Sequence, residues 1–275
     1  MRSTARLVVE RGACGSIVRE LRSQAPVKLV PRRSRPTSDP LVVHLVNSAT
    51  TPLGDDDVDL SVQVGPGARL SLRGTAATVA LPGQTGQTSR ARVRLEVAEG
   101  GSIDYLPQAT VVTAGANHRA ELFVDLAQHS RARCREVLVL GRFEEAAGRL
   151  ITSTHAIRDG NPLLRQDIDL GDPLLHSSSS GLAGARVLAT ELLATDQDPQ
   201  TATSGPWWSL SPLAAGGALA SALAPDTVTA EHRLSEALSH HPNTKAVAVR
   251  TPVDHKSSPL VDHSSCERWT FDQGL

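Results

Sequence analysis

Val62-Gln-Val64-Gly65-Pro66-Gly67-Ala68-Arg69-Leu70-Ser71-Leu72 decides how this chain folds. Apolar and polar residues alternate on both sides of a Gly-Pro-Gly turn. Alternation with period two buries one face of a strand. The glycines give the backbone freedom that a tight connection needs. The same design recurs at Leu95-Glu-Val97-Ala-Glu-Gly100-Gly101-Ser-Ile103-Asp-Tyr105. A weaker copy is Val124-Asp-Leu126-Ala-Gln-His129-Ser-Arg-Ala132-Arg-Cys134, where His129 replaces the glycine and predicts a looser turn. The copies start at Val62, Leu95 and Val124, hence 33 and then 29 residues apart. Units of that size bury a continuous core only by stacking. Three copies at uneven spacing predict stacked or packed β-sheets rather than a regular solenoid.

Working outward, 136–141, 150–157 and 163–170 read as strands, and 186–194 fits strand or helix. Residues 177–180 and 195–206 read as loops. A helix is expected over 227–239. Asp226 suits its N-cap, Leu234 and Leu238 share one face, and Pro242 lies just beyond its end. The expected fold is mainly β: stacked or packed antiparallel and mixed sheets, β-helix-like, with a few helices chiefly near the C-terminus. Residues 1–240 make the β-rich domain. Residues 241–275, rich in His, Ser, Asp and Pro without periodicity, read as a flexible tail.

Composition narrows the function. Lys+Arg number 28 against 29 Asp+Glu, so no overall field draws the chain to nucleic acid or an anionic membrane. Arg32, Arg33 and Arg35 lie among Pro and Ser, as in a solvated loop. Three Trp, one Tyr and three Phe are too few for base-stacking platforms. Arg2, Arg6, Glu10 and Arg11 interrupt any signal-peptide run, and no segment approaches the ~20 apolar residues of a membrane span. Cys14, Cys134 and Cys266 are far apart and odd in number, which predicts a reducing, cytoplasmic setting. There is no P-loop, Gly-x-Ser-x-Gly elbow, His-Glu-x-x-His or paired Cys-x-x-Cys. An autonomous enzyme acting on a small molecule is therefore not expected. Trp207-Trp208 is an aromatic pair expected to be buried.

Motif order points further. Leu21-Arg22-Ser23-Gln24-Ala25-Pro26 is followed by Thr50-Thr51-Pro52-Leu53-Gly54-Asp55-Asp56, then by Val62 to Ala68 and Ala76-Ala77-Thr78. Next come Asp104-Tyr105-Leu106-Pro107-Gln108, Glu136 to Arg142, Leu164-Arg165-Gln166-Asp167 and Ala222-Leu223-Ala224-Pro225-Asp226. Over roughly residues 15–240 this series resembles the UreD (UreH) family of urease accessory proteins. Departures fall at Thr50, Thr51 and Asp55, where the family has glycine, and at Val79, Ala109 and Ser221.

The resemblance implies a scaffold that helps insert nickel into apo-urease. It implies partnership with a UreF-type accessory protein, a UreG-type GTPase and apo-urease, with no tightly bound cofactor and Ni²⁺ only in transit. An internal path for Ni²⁺ wants oxygen and nitrogen groups that bind weakly enough to release it. Asp56, Gln108, Glu136 and Asp167 are the candidate lining groups. Arg142 or Arg165 would supply the ion pair that a buried Glu136 needs. A competing reading is nickel binding or storage by the tail, through His240, His241, His255, His263 and Cys266.

Overall fold

The structure, a computed structural model, describes residues 1–32, 40–49, 51–84, 86–172, 176–179 and 181–243. A seven-stranded sheet has the order β14-β13-β11-β8-β5-β1-β2. Its strands are β1 (Arg2–Gly12), β2 (Gly15–Ser23), β5 (Asp57–Val64), β8 (Ser89–Val97), β11 (Asn117–Leu126), β13 (Arg149–Arg158) and β14 (Asn161–Asp169). From β1 to β13 neighbours are parallel, and an antiparallel strand closes each end.

The second sheet runs β16 (Thr203–Gly205), β17 (Trp208–Pro212), β18 (Ala218–Ala224), β15 (Val187–Ala194), β12 (Arg131–Leu140), β9 (Ser102–Leu106), β6 (Arg69–Gly74), β4 (Leu41–Asn47) and β3 (Val27–Pro31). Two short strands, β7 (Thr78–Ala80) and β10 (Thr110–Val112), continue it beside the end of β12.

The sequence copies are the rungs of this stack. Val62 aligns with Leu95 and Leu95 with Val124 in one sheet. Leu70 aligns with Ile103 and Ile103 with Ala132 in the other. All six side chains are buried, so like positions superpose in one solenoid-like core. The uneven spacing has a local cause. The corner between β7 and β8 spans 81–88, whereas that between β10 and β11 spans only 113–116.

The third turn is not looser. His129 adopts φ 56°, beside 63° at Gly67 and 66° at Gly100. The same hydrogen bond closes all three turns: Ala68 N to Gly65 O, Gly101 N to Ala98 O and Ser130 N to Ala127 O. Histidine tolerates the left-handed region better than most side chains, which lets it stand in for glycine.

Residues 186–194 resolve as strand β15, and the expected loop at 195–206 contains the short β16. Helix α1 (Thr227–Ser239) forms where expected, with the Asp226 carboxylate accepting from Thr229 N at 2.8 Å. Its Ala230, Leu234, Ala237 and Leu238 bury against the alanine-rich face of β18 and its neighbours. No described helix is long and apolar enough to cross a membrane.

Candidate functional site

Pro107 breaks the second sheet. Proline has no N–H for a ladder, so β9 stops at Leu106 and pairing resumes only at Thr110. On β12, Arg131 to Cys134 pair with β9 and Leu138 to Leu140 pair with β10. Between them, Arg135, Glu136 and Val137 have a ladder partner only in β15. The neighbouring rung is interrupted in the same place, between Gly74 of β6 and Thr78 of β7. A Cβ on Gly74 would lie 2.5 Å from Gln108 N, so only glycine lets the chain pass there.

Behind this gap a cavity of about 150 Å³ lies between the sheets. Val58, Val93, His118 and Leu122 line it from one sheet; Tyr105, Gln108 and Glu136 line it from the other. In front of the gap a depression of about 300 Å³ reaches His44, Arg73 and Glu231 of α1. The two share Pro107, Gln108, Arg135 and Val137 as their common wall. Exposed Gln108 donates to Gly74 O at 3.4 Å across that wall.

Glu136 projects between the sheets. The Thr152 hydroxyl of β13 meets its two carboxylate oxygens at 2.8 and 3.0 Å. Burial pushes the Glu136 carboxyl up to about 7, and the Thr152 contact only partly opposes this. The expected arginine partners are elsewhere. Arg142 closes on Glu145 at 2.9 Å in its own turn, and no ion pair joins Arg165 to Glu136 among the described residues. The strand stays largely buried through Leu140, and Arg142 lies beyond its end in an exposed turn. Arg165 lies on the edge strand β14.

His118, unnoticed in the sequence, stands on the opposite wall. Its Nδ1 is 2.9 Å from Ser89 Oγ, which donates to Asn117 O at 3.3 Å. With the Ser89 hydroxyl committed to that carbonyl, Nδ1 is the nitrogen that donates to Ser89 Oγ. Burial lowers the ring to about 4, so it is neutral.

Asp56 does not line the cavity but anchors its rim. Its carboxylate accepts from Leu53 N at 2.8 Å, Thr51 Oγ1 at 2.9 Å and the Met1 ammonium at 2.8 Å. Burial would raise this carboxyl; the ammonium, Leu53 N–H and Thr51 hydroxyl outweigh it and hold it below the usual range. Its partner Thr51 reaches the cavity. Gly54 in the same loop crosses Gly83 so closely that a Cβ would lie 2.7 Å from Gly83 Cα. Asp55 has φ 71°, a conformation that favours glycine. Asp55→Gly is therefore expected to raise stability by about 0.5–1 kcal/mol, read as a higher denaturant midpoint.

Asp167 lies apart from these groups. It sits on edge strand β14 with 54% of its side chain exposed, 3.5 Å from His155 Nε2. Ser153 and His155 hold its carboxyl below the usual value.

A sequence model of the family described as UreD urease accessory protein matches residues 1–252. The chain belongs to the UreD family. Among its relatives, Urease accessory protein UreD 1 of Saccharopolyspora erythraea is 58% identical over 250 residues, covering 90% of this chain and 98% of the relative. Urease accessory protein UreD of Parafrankia sp. is 38% identical, covering 85% of this chain and 86% of its own. That of Frankia alni is 37% identical, covering 86% and 91%. UreD is an accessory-protein family rather than a family of catalytic enzymes, which suits a site of scattered polar groups. Ala76-Ala77-Thr78 and Leu106-Pro107-Gln108 border the sheet gap, with Glu136 behind it.

The tail ligands are divided. His255, His263 and Cys266 lie outside the described residues. His240 stacks on Trp208, with centroids 5.1 Å apart. His241 is 1% exposed and its Nδ1 accepts from Asn243 N at 3.2 Å. Both histidines are thus engaged by the folded body. No cluster of three or more His, Cys, Asp and Glu suited to a metal occurs among the described residues. Trp208 is buried as expected, but Trp207 is half exposed at φ 69°, with the Arg233 guanidinium 5.8 Å from its ring centre.

Proposed function

We propose that this chain is a non-catalytic chaperone of urease maturation that carries Ni²⁺ through its interior toward apo-urease. It bridges apo-urease with a UreF-type accessory protein and a UreG-type GTPase in the cytoplasm. Ni²⁺ is cargo, and no tightly bound cofactor is needed. The observation that supports this reading is the sheet gap. A thin polar wall, with the Gln108 amide on it and the Glu136 carboxyl behind it, is all that divides an outer depression from an internal cavity. Amide and carboxylate oxygens offset part of the ion's dehydration, and the absence of thiolates in the cavity lining keeps the hold weak.

The test is co-expression with apo-urease and the two accessory partners, then urease activity after adding nickel. The wild-type chain is expected to co-purify and to raise activation. Glu136→Gln is expected to co-purify equally and to cut activation by roughly 10-fold or more, the scale seen when groups around a metal are altered. A chain that joins no complex, and whose deletion leaves activation unchanged, overturns the reading.

A further inference from the structure

We infer that the depression outside the sheet gap is a binding site for a small oxyanion, a free carboxylate or phosphate held by Arg73, Arg135 and His44. This goes beyond the passage reading and does not depend on it.

The register brings these three side chains to one face. On the parallel strands β4, β6 and β9, His44 lies beside Arg73 and Arg73 beside Leu106. Cys134 of β12 aligns with Tyr105, so Arg135, the next residue, falls beside Leu106. Val43, Leu72, Tyr105 and Cys134 are buried in the core between the sheets, so the residue after each faces outward. Arg73 and Arg135 are thus two strand spacings apart, about 10 Å at the backbone. Their long side chains reach toward each other over Leu106. All four outward residues line the depression of about 300 Å³.

The charges at its floor do not balance. Three guanidinium groups, those of Arg73, Arg133 and Arg135, face two carboxylates. Arg133 and Arg135 both close on Glu191, while Arg133 and Arg73 both flank Asp104. Arg73 donates through Nε to Ser71 Oγ at 2.9 Å, and Arg135 through Nε to Glu191 Oε2 at 2.8 Å. Among the described residues, the terminal nitrogens of both find no hydrogen-bond acceptor. A guanidinium is a planar fork of donors that fits two oxygens of a carboxylate or phosphate. His44 adds an independent observation. Its Nδ1 is buried and has no partner among the described residues. A buried polar atom without a partner needs an explanation, and an acceptor seated beside the ring supplies one. Glu231 of α1 is the one carboxylate on the lining; it is exposed and forms no ion pair with either arginine among the described residues.

The experiment follows the histidine ring protons of the full-length chain by NMR. Acetate or inorganic phosphate is added at fixed pH, with ionic strength held constant by sodium chloride. A saturable shift of the His44 signal is expected, that signal being identified by its loss in His44→Gln. Acetate acting at the lower concentration assigns the site to carboxylates; phosphate doing so assigns it to phosphates. Arg73→Met is expected to raise the midpoint about 10-fold or more, the scale of a lost hydrogen bond between charged groups. Glu231→Gln, a change at an exposed position, is expected to lower it about 2- to 3-fold by removing a like charge from the rim. Circular dichroism checks the fold of each variant. Arg73→Lys, which keeps the charge beside Asp104 but loses the fork, serves where methionine disturbs folding and is likewise expected to raise the midpoint. A His44 signal that shifts with neither anion, or midpoints left unchanged by the Arg73 and Glu231 variants, overturns the site.

Discussion

Glu191→Ala is expected to cost 3–5 kcal/mol and to leave little folded chain. Glu191 is fully buried on β15, and two guanidinium groups from β12 converge on it. Arg133 donates through Nε to Oε1 and Arg135 through Nε to Oε2 at 2.8 Å. Arg133 is itself only 6% exposed. Removing the carboxylate strands a buried cation, whose penalty is of that size. A domain's whole stability is about 5–15 kcal/mol, so the loss is a large part of it. The check is the urea midpoint, or the soluble yield where refolding fails. Glu191→Leu combined with Arg133→Met and Arg135→Met should recover most of the loss, because well-packed apolar replacements of a buried ionic triad are often neutral. Failure of both variants alike would mean that the strand pairing, not the charge balance, is at stake.

The second large effect has two signs. Glu136→Gln should stabilise the metal-free chain while impairing nickel-dependent activation. The Glu136 carboxyl stands at about 7 in the fold against 4.5 for an ordinary glutamate. Its folded form holds the proton more tightly than the unfolded form does. Stability therefore falls as pH rises from about 4.5 to about 7, and the penalty is complete above that. The shift corresponds to roughly 2–3 kcal/mol, because Glu136 is only partly shielded from solvent. His118 acts in the opposite sense. At about 4 in the fold against 6.5 ordinarily, its burial costs stability as pH falls through that window. In the wild-type chain the two slopes oppose each other between about pH 4.5 and 6.5. In Glu136→Gln the His118 slope, reinforced by the lowered His241 and opposed by the raised Asp104, is no longer offset by Glu136, so stability should climb more steeply with pH towards 6.5 than in wild type and exceed wild type at pH 8. Thermal melts across pH 4–8 measure this. A variant no more stable than wild type at pH 8 would place water, not protein, around Glu136.

Much of this architecture could be read from local pattern. Val62, Leu95 and Val124 announced the rungs because only one face of each strand meets the core, and alternation survives in sequence. The N-cap Asp226 and helix α1 were equally visible. β15 was ambiguous because nearly all of Val187 to Ala194 is buried, which erases the alternation that separates strand from helix. A glutamate inside that apolar run was the signal for a buried ion pair. Its partners were not legible, since Arg133 and Arg135 reach it only through strand pairing. Gln108 and Glu136, picked out by motif, both line the internal cavity. Asp167 was not distinguishable from them, because sequence does not say which face of an edge strand looks inward. His118 was overlooked for the converse reason: one histidine in a strand carries no signal until Ser89 and Glu136 are placed around it.

The antiparallel strands that close each end of the seven-stranded sheet have a consequence for solubility. A stack of in-register parallel strands is a template that another chain could extend without limit. Here the chain folds back at both ends, through Gly12 and Gly15 at one and through Asp159 and Gly160, with φ 50° and 75°, at the other. The strands left outermost carry Arg19, Glu20 and Arg22 on β2, and Pro162, Arg165, Asp167 and Asp169 on β14. Charge and proline on an outer strand discourage edge-to-edge association. The same two hairpins that finish this sheet thus also make its edges poor templates for another chain.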